Sequence, residues 1–567
     1  MGTSWRACVS SVAFAALTGC WTQPSTLGLP CVSDSECDVD QRCEAGHCAG
    51  GSILTDETAG ATTAGDGGTT GATTTTSATS MTTADVGATS SGDATSEDGT
   101  SATTSVTELP MECPTPDCAL SPQWSVAYGD AKIVNKALDV DGEGNIYVGG
   151  VYQGSVTVNG QPTLIGAADL FSMYVIKFAP NGVPLWVRGF GADESGGDEL
   201  LDLVVTDDGT VYFTGFYTGP LIMCNQSLIG FPNRQDLFVA RINAAGTCDA
   251  IAAYAKDGAQ RGFSLAYDAA TQRLALAGAY QGLPILEEFP LPAEQIGSTQ
   301  GNGLLALYDA DLDVQWAVGL GKLATYESVN TARVGPPGSL LITGTFTDAI
   351  TLLSTHASQG GTNDAFLARV SQLDGAVEWD ASLVTAGGVT VTATDYDPLS
   401  GSFVIAGDFA SSLPALELDS GSLDNHDIFV ASLDAETAEV QWARQLGGAS
   451  AEESARGLVI DPVAGHVLLS AGCAPGSELG AGPLDVMGSS DACLVRLRLD
   501  TGEVLWTERF GGSTGNLVET GRQLAVDLGK DPALLWAGDF YGTASFGGVT
   551  LTAKDTNART FLVRFAP

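Results

Sequence analysis

Acidic side chains recur in short loops between residues 130 and 519, and each loop follows a tryptophan-bearing segment or its equivalent. These residues are Asp130, Asp193, Glu194, Asp198, Glu199, Glu327, Glu452, Glu453 and Glu519. If the fold gathers these loops on one face, the carboxylates form an acidic rim that suits Ca²⁺ or a cationic partner. Ordinary solvated loops are the alternative interpretation.

Ten cysteines form local groups whose spacing suits disulfide chemistry. Four of them make a compact block, and six make pairs: Cys31, Cys37, Cys43 and Cys48 in the block, then Cys113 with Cys118, Cys224 with Cys248, and Cys473 with Cys493. Such spacing in an exported chain predicts two disulfides in the block, with their connectivity open, and three local bridges. Zinc is the alternative for the block because His47 lies inside it, but the block lacks Cys-x-x-Cys spacing.

Residues for catalysis follow no recognisable pattern. The four histidines are His47, His356, His426 and His466, and they do not recur at one repeat position. The sequence contains no Gly-x-Ser-x-Gly, His-Glu-x-x-His, phosphate-binding loop or dinucleotide fingerprint. We therefore predict no catalytic residue and no cofactor, with Ca²⁺ as the one ion that the acidic loops would suit.

A further cysteine, Cys20, lies at the end of a short apolar segment. Residues 7–17 are small and apolar, too few to span a bilayer permanently, and they lead into Leu17-Thr18-Gly19-Cys20. This ending resembles the lipobox of bacterial lipoproteins. The resemblance implies that residues 1–19 are a signal peptide and that Cys20 carries the lipid. Trp21 follows instead of Asp, so we expect the outer membrane, on either side, as the location. An ordinary secretory signal is the alternative.

The elements that must position these residues follow from an internal repeat. A glycine ends a strand-like apolar run seven times, and a tryptophan keeps the same interval of 62 to 66 residues: Gly150, Gly215, Gly278, Gly344, Gly407, Gly472 and Gly538, with Trp124, Trp186, Trp316, Trp379, Trp442 and Trp506. Ile251 occupies the one missing tryptophan position. Each repeat reads as four short strands separated by Asp-, Gly- and Asn-rich turns. Seven such repeats predict an all-β, seven-bladed β-propeller.

The two ends of the repeat region indicate how the ring closes. The last repeat stops at Phe561–Pro567 without a tryptophan strand, whereas residues 123–129 carry a spare one. We predict that this N-terminal strand completes the last blade. A solenoid is the alternative architecture, but it would need polar caps that the sequence lacks.

Two repeats carry a more specific likeness. Trp442-Ala-Arg-Gln-Leu-Gly-Gly and Asp491-Ala-Cys-Leu-Val-Arg, with Trp506-Thr-Glu-Arg-Phe-Gly-Gly and Phe561-Leu-Val-Arg, resemble the bacterial β-propeller repeat of secreted surface proteins, the SBBP type. The resemblance covers residues 124–567 and implies architecture and export, with no catalytic residues. The run from Asp500 to Trp506 also looks like the motif of quinoprotein-type propellers, in that one repeat only.

Composition divides the chain into four parts. After the signal peptide, residues 20–50 form the lipidated, cysteine-rich segment, and residues 51–112 are a Thr/Ser/Ala/Gly linker with almost no large apolar side chains. We expect this linker to be disordered, as a bare tether or as a site of O-glycosylation. Residues 113–567 form the propeller.

The charge balance limits the partners. There are 24 Lys and Arg against 67 Asp and Glu, a net charge of −43, which disfavours nucleic acid and anionic membrane surfaces. We expect a monomer held at the membrane only by its lipid. The sequence favours a non-catalytic binding or display module for a protein or carbohydrate ligand. The alternative is an exported propeller enzyme, of lyase, hydrolase or quinoprotein type, with its site at the mouth of the channel.

Overall fold

The computed structural model describes parts of two separate units, Met1–Thr104 and Ser105–Pro567. The described residues are 41–44, 47–50 and 120–566, apart from 130–131, 192–196, 232–233, 256–257, 283–284, 292–300, 322–325, 360–362, 423–425, 449–452, 481, 483, 487–488, 512–519, 547–548 and 554–558. The predicted signal peptide, the linker and Cys20, Cys31, Cys37, Cys113 and Cys118 lie outside them. Among the described residues, no helix is both long and apolar enough to cross a membrane.

The described part of the first unit is one short hairpin. Its strands are β1 (Gln41–Glu44) and β2 (His47–Gly50). The antiparallel register places Cys43 directly opposite Cys48.

The described residues of the second unit form seven four-stranded antiparallel sheets, which we number as blades 1 to 7. Blade 1 has β4 (Ile133–Val140), β5 (Ile146–Tyr152), β8 (Ser172–Phe178) and β9 (Pro184–Phe190), with a short outer hairpin β6 (Ser155–Val156) and β7 (Leu164–Ile165). Blade 2 has β10 (Glu199–Val205), β11 (Val211–Tyr217), β14 (Asp236–Ile242) and β15 (Cys248–Tyr254), with β12 (Leu221–Met223) and β13 (Gln226–Leu228). Blade 3 has β16 (Gln260–Asp268), β17 (Arg273–Tyr280), β20 (Asn302–Asp309) and β21 (Val314–Leu320), with β18 (Ile285–Leu286) and β19 (Phe289–Pro290).

The remaining blades repeat this order. Blade 4 has β22 (Glu327–Val334), β23 (Ser339–Phe346), β26 (Asp364–Ser371) and β27 (Val377–Leu383), with β24 (Ala349–Thr351) and β25 (Thr355–Ala357). Blade 5 has β28 (Val389–Asp397), β29 (Ser402–Phe409), β32 (Asp427–Asp434) and β33 (Val440–Leu446), with β30 (Ser412–Leu413), a 3₁₀ turn (Pro414–Leu416) and β31 (Leu418–Asp419). Blade 6 has β34 (Ser454–Asp461), β35 (His466–Cys473), β36 (Asp491–Arg498) and β37 (Val504–Phe510). Blade 7 has β38 (Thr520–Asp527), β39 (Ala533–Phe540), β42 (Arg559–Phe565) and β3 (Pro122–Tyr128), with β40 (Thr543–Phe546) and β41 (Val549–Thr552).

The blades form a closed ring, as the repeats predict. The first strand of every blade contacts the first strand of the next, and β38 of blade 7 contacts β4 of blade 1. The N-terminal strand β3 is the outermost strand of blade 7, where Trp124 pairs with Arg564 and Tyr128 with Thr560. The prediction of a seven-bladed propeller closed by its N-terminal strand is therefore confirmed.

The apolar core lies between the blades. Every residue of β5, β11 and β39 is buried. One continuous cluster, for example, combines Val404 and Val430 of blade 5 with Leu469 and Val495 of blade 6. Because each sheet covers the face of its neighbour, no blade buries its apolar residues alone.

The recurring glycine has a local cause in the pairing of the first two strands. Each first strand carries a β-bulge, such as the register shift between Val391 and Ala393 opposite Gly407. The bulge turns a carbonyl toward the facing glycine, so a Cβ on Gly407 would overlap the Thr390 oxygen. Five other repeat glycines face a carbonyl in the same way: Gly150, Gly215, Gly278, Gly344 and Gly538. In blade 6, Ala471 pairs with the bulge and Gly472 lies one residue later.

This difference gives a matched pair of substitutions. We expect Gly407→Ala to lower the free energy of unfolding by about 3 kcal/mol, because backbone must move to admit the methyl group. Gly472→Ala is the control, since its methyl group would meet no backbone atom, only the hydroxyls of Ser454 at 3.0 Å and Ser490 at 3.6 Å. We expect it to change stability by less than about 1 kcal/mol. Chemical denaturation of both variants measures the difference. Equal midpoints would contradict the role of the bulge.

The recurring tryptophan joins neighbouring blades at the rim. In five of the six repeats that carry it, the indole N–H donates to a carbonyl in the turn before the last strand of the following blade. The bonds run from Trp124 to Pro180 (3.0 Å), Trp186 to Ala244 (3.4 Å), Trp316 to Gln372 (2.9 Å), Trp379 to Ala435 (3.0 Å) and Trp442 to Leu499 (2.8 Å). The recurring tryptophan thus lies on the edge strand of its blade.

Blade 2 shows how the missing tryptophan is replaced. Ile251 pairs within β15 and has no N–H on its side chain to donate. The turn of blade 3 instead receives two donors from blade 2. The Ala310 carbonyl accepts the Tyr212 hydroxyl at 3.1 Å and Nη1 of Arg241 at 2.6 Å. The rim contact between blades is kept with different residues.

Candidate functional site

A central channel runs along the axis of the ring. Its cavity of about 470 Å³ is lined by residues from all seven first strands. This volume lies in the range of small-molecule binding sites. The channel is therefore where side chains from every blade meet.

The bulge of each first strand adds one residue at a common level of this channel. The seven residues are Lys136, Leu201, Phe263, Asn330, Thr392, Arg456 and Arg522. All but Arg522 line the cavity. Neighbouring first strands meet with an offset of one residue relative to their bulges: the amide N–H of Ala332, two residues past its bulge, donates to Oγ of Ser264, one residue past its own, at 3.4 Å. We call this layer the bulge ring.

The charged, apolar and uncharged polar residues of the bulge ring occupy different sides of the channel. Blades 6, 7 and 1, which are consecutive, contribute the cations Arg456, Arg522 and Lys136. Blades 2 and 3 contribute the apolar Leu201 and Phe263. Blades 4 and 5 complete the circle with Asn330 and Thr392, which are polar and uncharged.

The cations of the bulge ring differ in their partners. Nε of Arg522 is 2.5 Å from Oδ2 of Asp539, and Nζ of Lys136 is 3.5 Å from Oε2 of Glu199. Arg456 has no hydrogen bond or ion pair to a described residue. Burial and the nearby Arg522 lower the pKa of Arg456, while Asp408 opposes this shift.

Three aspartates that line the same cavity interact electrostatically with one arginine, Arg333, which lines it too. Both carboxylate oxygens of Asp139, Asp202 and Asp395 accept backbone N–H groups, one from the following residue and one from the next blade. Arg333 donates to the Thr394 carbonyl at 2.8 Å. Burial raises the pKa of all three aspartates, that of Asp139 to about 7, and Arg333 counteracts part of the shift.

The predicted acidic rim is only partly within the described residues. Asp130, Asp193, Glu194, Glu452 and Glu519 lie outside them. Of the other four, Asp198, Glu327 and Glu453 are buried, and Glu199 pairs with Lys136. These three lie at the junctions between blades: Oε1 of Glu453, for example, accepts the amide N–H of Gly448 from the preceding blade at 3.3 Å. They do not form a solvated rim, because each begins or precedes a first strand that the previous blade covers.

The structure tests the disulfide prediction in part, and Ca²⁺ binding stays a prediction. Among the described residues, no group of three or more His, Cys, Asp and Glu is arranged to hold a metal ion. Two of the predicted disulfides are present, Cys224–Cys248 in blade 2 and Cys473–Cys493 in blade 6.

Sequence reasoning missed one grouping, Ser354, His356 and Asp380 on the outside of blade 4. Nε2 of His356 lies 3.1 Å from Oγ of Ser354 and 3.2 Å from Oδ2 of Asp380, and the serine also donates to Oδ1 of Asp380 at 2.8 Å. A hydrolytic triad needs the serine and the carboxylate on opposite ring nitrogens. Here both contact the same nitrogen, so the group is a surface hydrogen-bond network.

No family model matches the chain, and no curated protein matches it. Several solved structures are similar at low identity. A chain of the crystal structure of the mitotic checkpoint complex shares 10% identity over 82% of this chain and 99% of that one, with a TM-score of 0.41. The quinohemoprotein alcohol dehydrogenase from Comamonas testosteroni shares 9% identity over 79% and 76%, with a TM-score of 0.41. The Dos1 propeller shares 11% identity over 79% and 93%, with a TM-score of 0.38. The assignment of the fold rests on the strand pairing described above.

Proposed function

We propose that the protein is an exported propeller, anchored by a lipid to the bacterial outer membrane, that acts as a monomeric, non-catalytic binding or display module. Its ligand, a carbohydrate or a protein segment, enters the mouth of the central channel. The observation that carries this proposal is the channel itself, a cavity of about 470 Å³ to which every blade contributes. The channel aspartates support binding over catalysis, because both oxygens of each already accept backbone N–H groups.

A variant that blocks the channel tests this site. Full-length protein in detergent is applied to an array of oligosaccharides and peptides. We expect Thr392→Trp, in the bulge ring, to abolish binding of whichever ligands the wild type retains, because the indole would fill part of the cavity. Thr501→Trp, on an exposed turn of blade 6, is the matched control and should bind as the wild type does. Unchanged binding by Thr392→Trp would place the ligand elsewhere, and turnover of a bound ligand would favour the alternative, an exported propeller enzyme.

The anchor is tested separately. We expect Cys20→Ala to move the protein from the membrane fraction to the soluble fraction of fractionated cells, because acyl chains on this cysteine would be its only firm membrane contact. Cys8→Ala is the control, since Cys8 lies in the segment predicted to be removed, and it should remain membrane-bound. Retention of the Cys20 variant in the membrane would show that the lipoprotein hypothesis is wrong.

A further inference from the structure

The bulge ring concentrates positive charge in a strongly acidic protein. Only 24 of 567 residues are Lys or Arg, yet three of the seven bulge positions hold one. These three occupy consecutive blades at one level, so their fields add at one side of the channel. A net charge of −43 makes this arrangement unexpected if the channel has no ligand.

Arg456 is the cation that the protein leaves available. Arg522 and Lys136 are held by Asp539 and Glu199, whereas no described residue pairs with the guanidinium of Arg456. The nearby Asp408 accepts the Ala455 amide at 2.7 Å, and its burial raises its pKa to about 6. A planar guanidinium facing a cavity can take a carboxylate through two parallel hydrogen bonds.

The other side of the bulge ring suits the body of a ligand. Phe263 and Leu201 are half-buried and line the same cavity as Arg456. An aromatic face packs well against the apolar face of a sugar or other ring. Asn330 and Thr392 add hydrogen-bonding groups between the apolar side and the cations, although the amide of Asn330 already bonds to Thr345 and its oxygen accepts from Ser328.

We propose that the bulge ring binds an anionic carbohydrate of the uronic-acid class, with its carboxylate on Arg456 and its ring against Phe263. This inference rests on the proposed function and specifies the ligand of the same site. Arg456 supplies the positive charge that no described carboxylate pairs with, whereas Arg522 and Lys136 are already paired. The apolar side selects a ring-shaped anion over a bare ion.

Titration calorimetry with full-length protein in detergent tests the assignment, with D-glucuronate as probe and D-glucose as its uncharged match. We expect binding of glucuronate and none of glucose. Arg456→Gln should weaken glucuronate binding at least about tenfold, the size expected when one charged hydrogen-bonding pair is lost. Arg456→Lys should recover part of the affinity, since it keeps the charge but loses the planar fork. Arg498→Gln, which removes an exposed pair with Asp500 in the same blade, is the control and should bind as the wild type does.

Three results would overturn the inference. The first is glucuronate binding that Arg456→Gln leaves unchanged, and the second is no glucuronate binding by a folded wild type. The third is inorganic sulfate binding as tightly as glucuronate, which would remove the role of the ring. If the array still shows a neutral ligand that Thr392→Trp excludes, the proposed function stands and only the anionic class is wrong.

Discussion

Deletion of residues 113–129 is expected to leave the propeller unable to close, and to yield an unstable, aggregation-prone product. These residues include β3, which fills the outer position of blade 7. Without it, β42 becomes an exposed edge, and unpaired edges invite association with other chains. Deletion of residues 21–112 should leave the thermal unfolding of the propeller nearly unchanged, because the described blades use no residue before Leu120.

The size of the effect follows from what β3 contributes. Besides its ladder with β42, it links blade 7 to blade 1. The Trp124 indole donates to Pro180, and the Tyr128 ring lies 5.3 Å from the ring of Phe178. The Tyr128 hydroxyl also donates to Oδ1 of Asn135 at 2.5 Å. Two buried aromatic contacts and the ladder bonds together amount to roughly 5–10 kcal/mol, which is comparable with the whole stability of many domains.

The two deletions are compared by calorimetry and by light scattering during heating. Single substitutions give intermediate cases: Trp124→Ala should lower the midpoint less than the deletion does. If both deletions unfold at the same temperature, closure by β3 contributes nothing to stability, and this account of the ring is wrong.

The sequence predicted the ring because the residues that determine the blades recur at a regular interval. Gly407 and Trp442 mark positions that recur because most blades place a glycine against the bulged first strand and a tryptophan against the turn of the next blade. The offset of Gly472 by one residue from the position opposite the bulge of blade 6 was not predictable. A bulge is a register shift between paired strands, and in the sequence Gly472 looks like the glycines of the other repeats. The replacement of the missing tryptophan N–H by donors from Tyr212 and Arg241 depends on contacts between blades, which a single repeat does not reveal.

The candidate site was less accessible to sequence reasoning for a related reason. Arg456, Arg522 and Lys136 are single residues in strands, and no motif distinguishes them until the ring aligns their bulges. The acidic loops were predicted to bind a ligand because they recur in the sequence. Asp198 and Glu453 recur because they pack at similar junctions between blades. In this fold, a residue type that repeats from blade to blade indicates the architecture. The chemistry of the channel depends on positions where the residue type differs between blades.

The buried carboxyls of these junctions make stability depend on pH. Burial is the main cause that raises the pKa of Asp198 and Glu453 to about 7 and that of Asp236 to about 6. All three side chains are at most 5% exposed. In the unfolded chain these groups lose their protons near pH 4, so between pH 4 and 7 the folded state holds more protons than the unfolded one. Stability must therefore fall as the pH rises through this window.

We expect the free energy of unfolding to be lower at pH 8 than at pH 5 by about 5 kcal/mol or more, since a shift of one pKa unit corresponds to about 1.4 kcal/mol and several groups shift by two or more. Carboxyls with lowered pKa, such as Asp141 and Asp380, lose their contribution only at more acidic pH. The maximum of stability should thus lie near pH 4 to 5, on the acidic side of neutral.

Thermal midpoints measured from pH 4 to 8, in low salt and in 0.5 M NaCl, test this dependence. Salt should change the slope little, because surface carboxylates are already ionised above pH 5 and screening acts weakly on buried groups. Asp198→Asn and Glu453→Gln should each flatten the slope, since an amide cannot ionise in the same site. Asp434→Asn removes an exposed carboxyl whose pKa is lowered by bonds to Thr437, and it should leave the slope between pH 5 and 8 intact. A midpoint that stays constant or rises from pH 5 to 8 would mean that these carboxyls reach water in the folded ring, so that the junctions between blades are open to solvent.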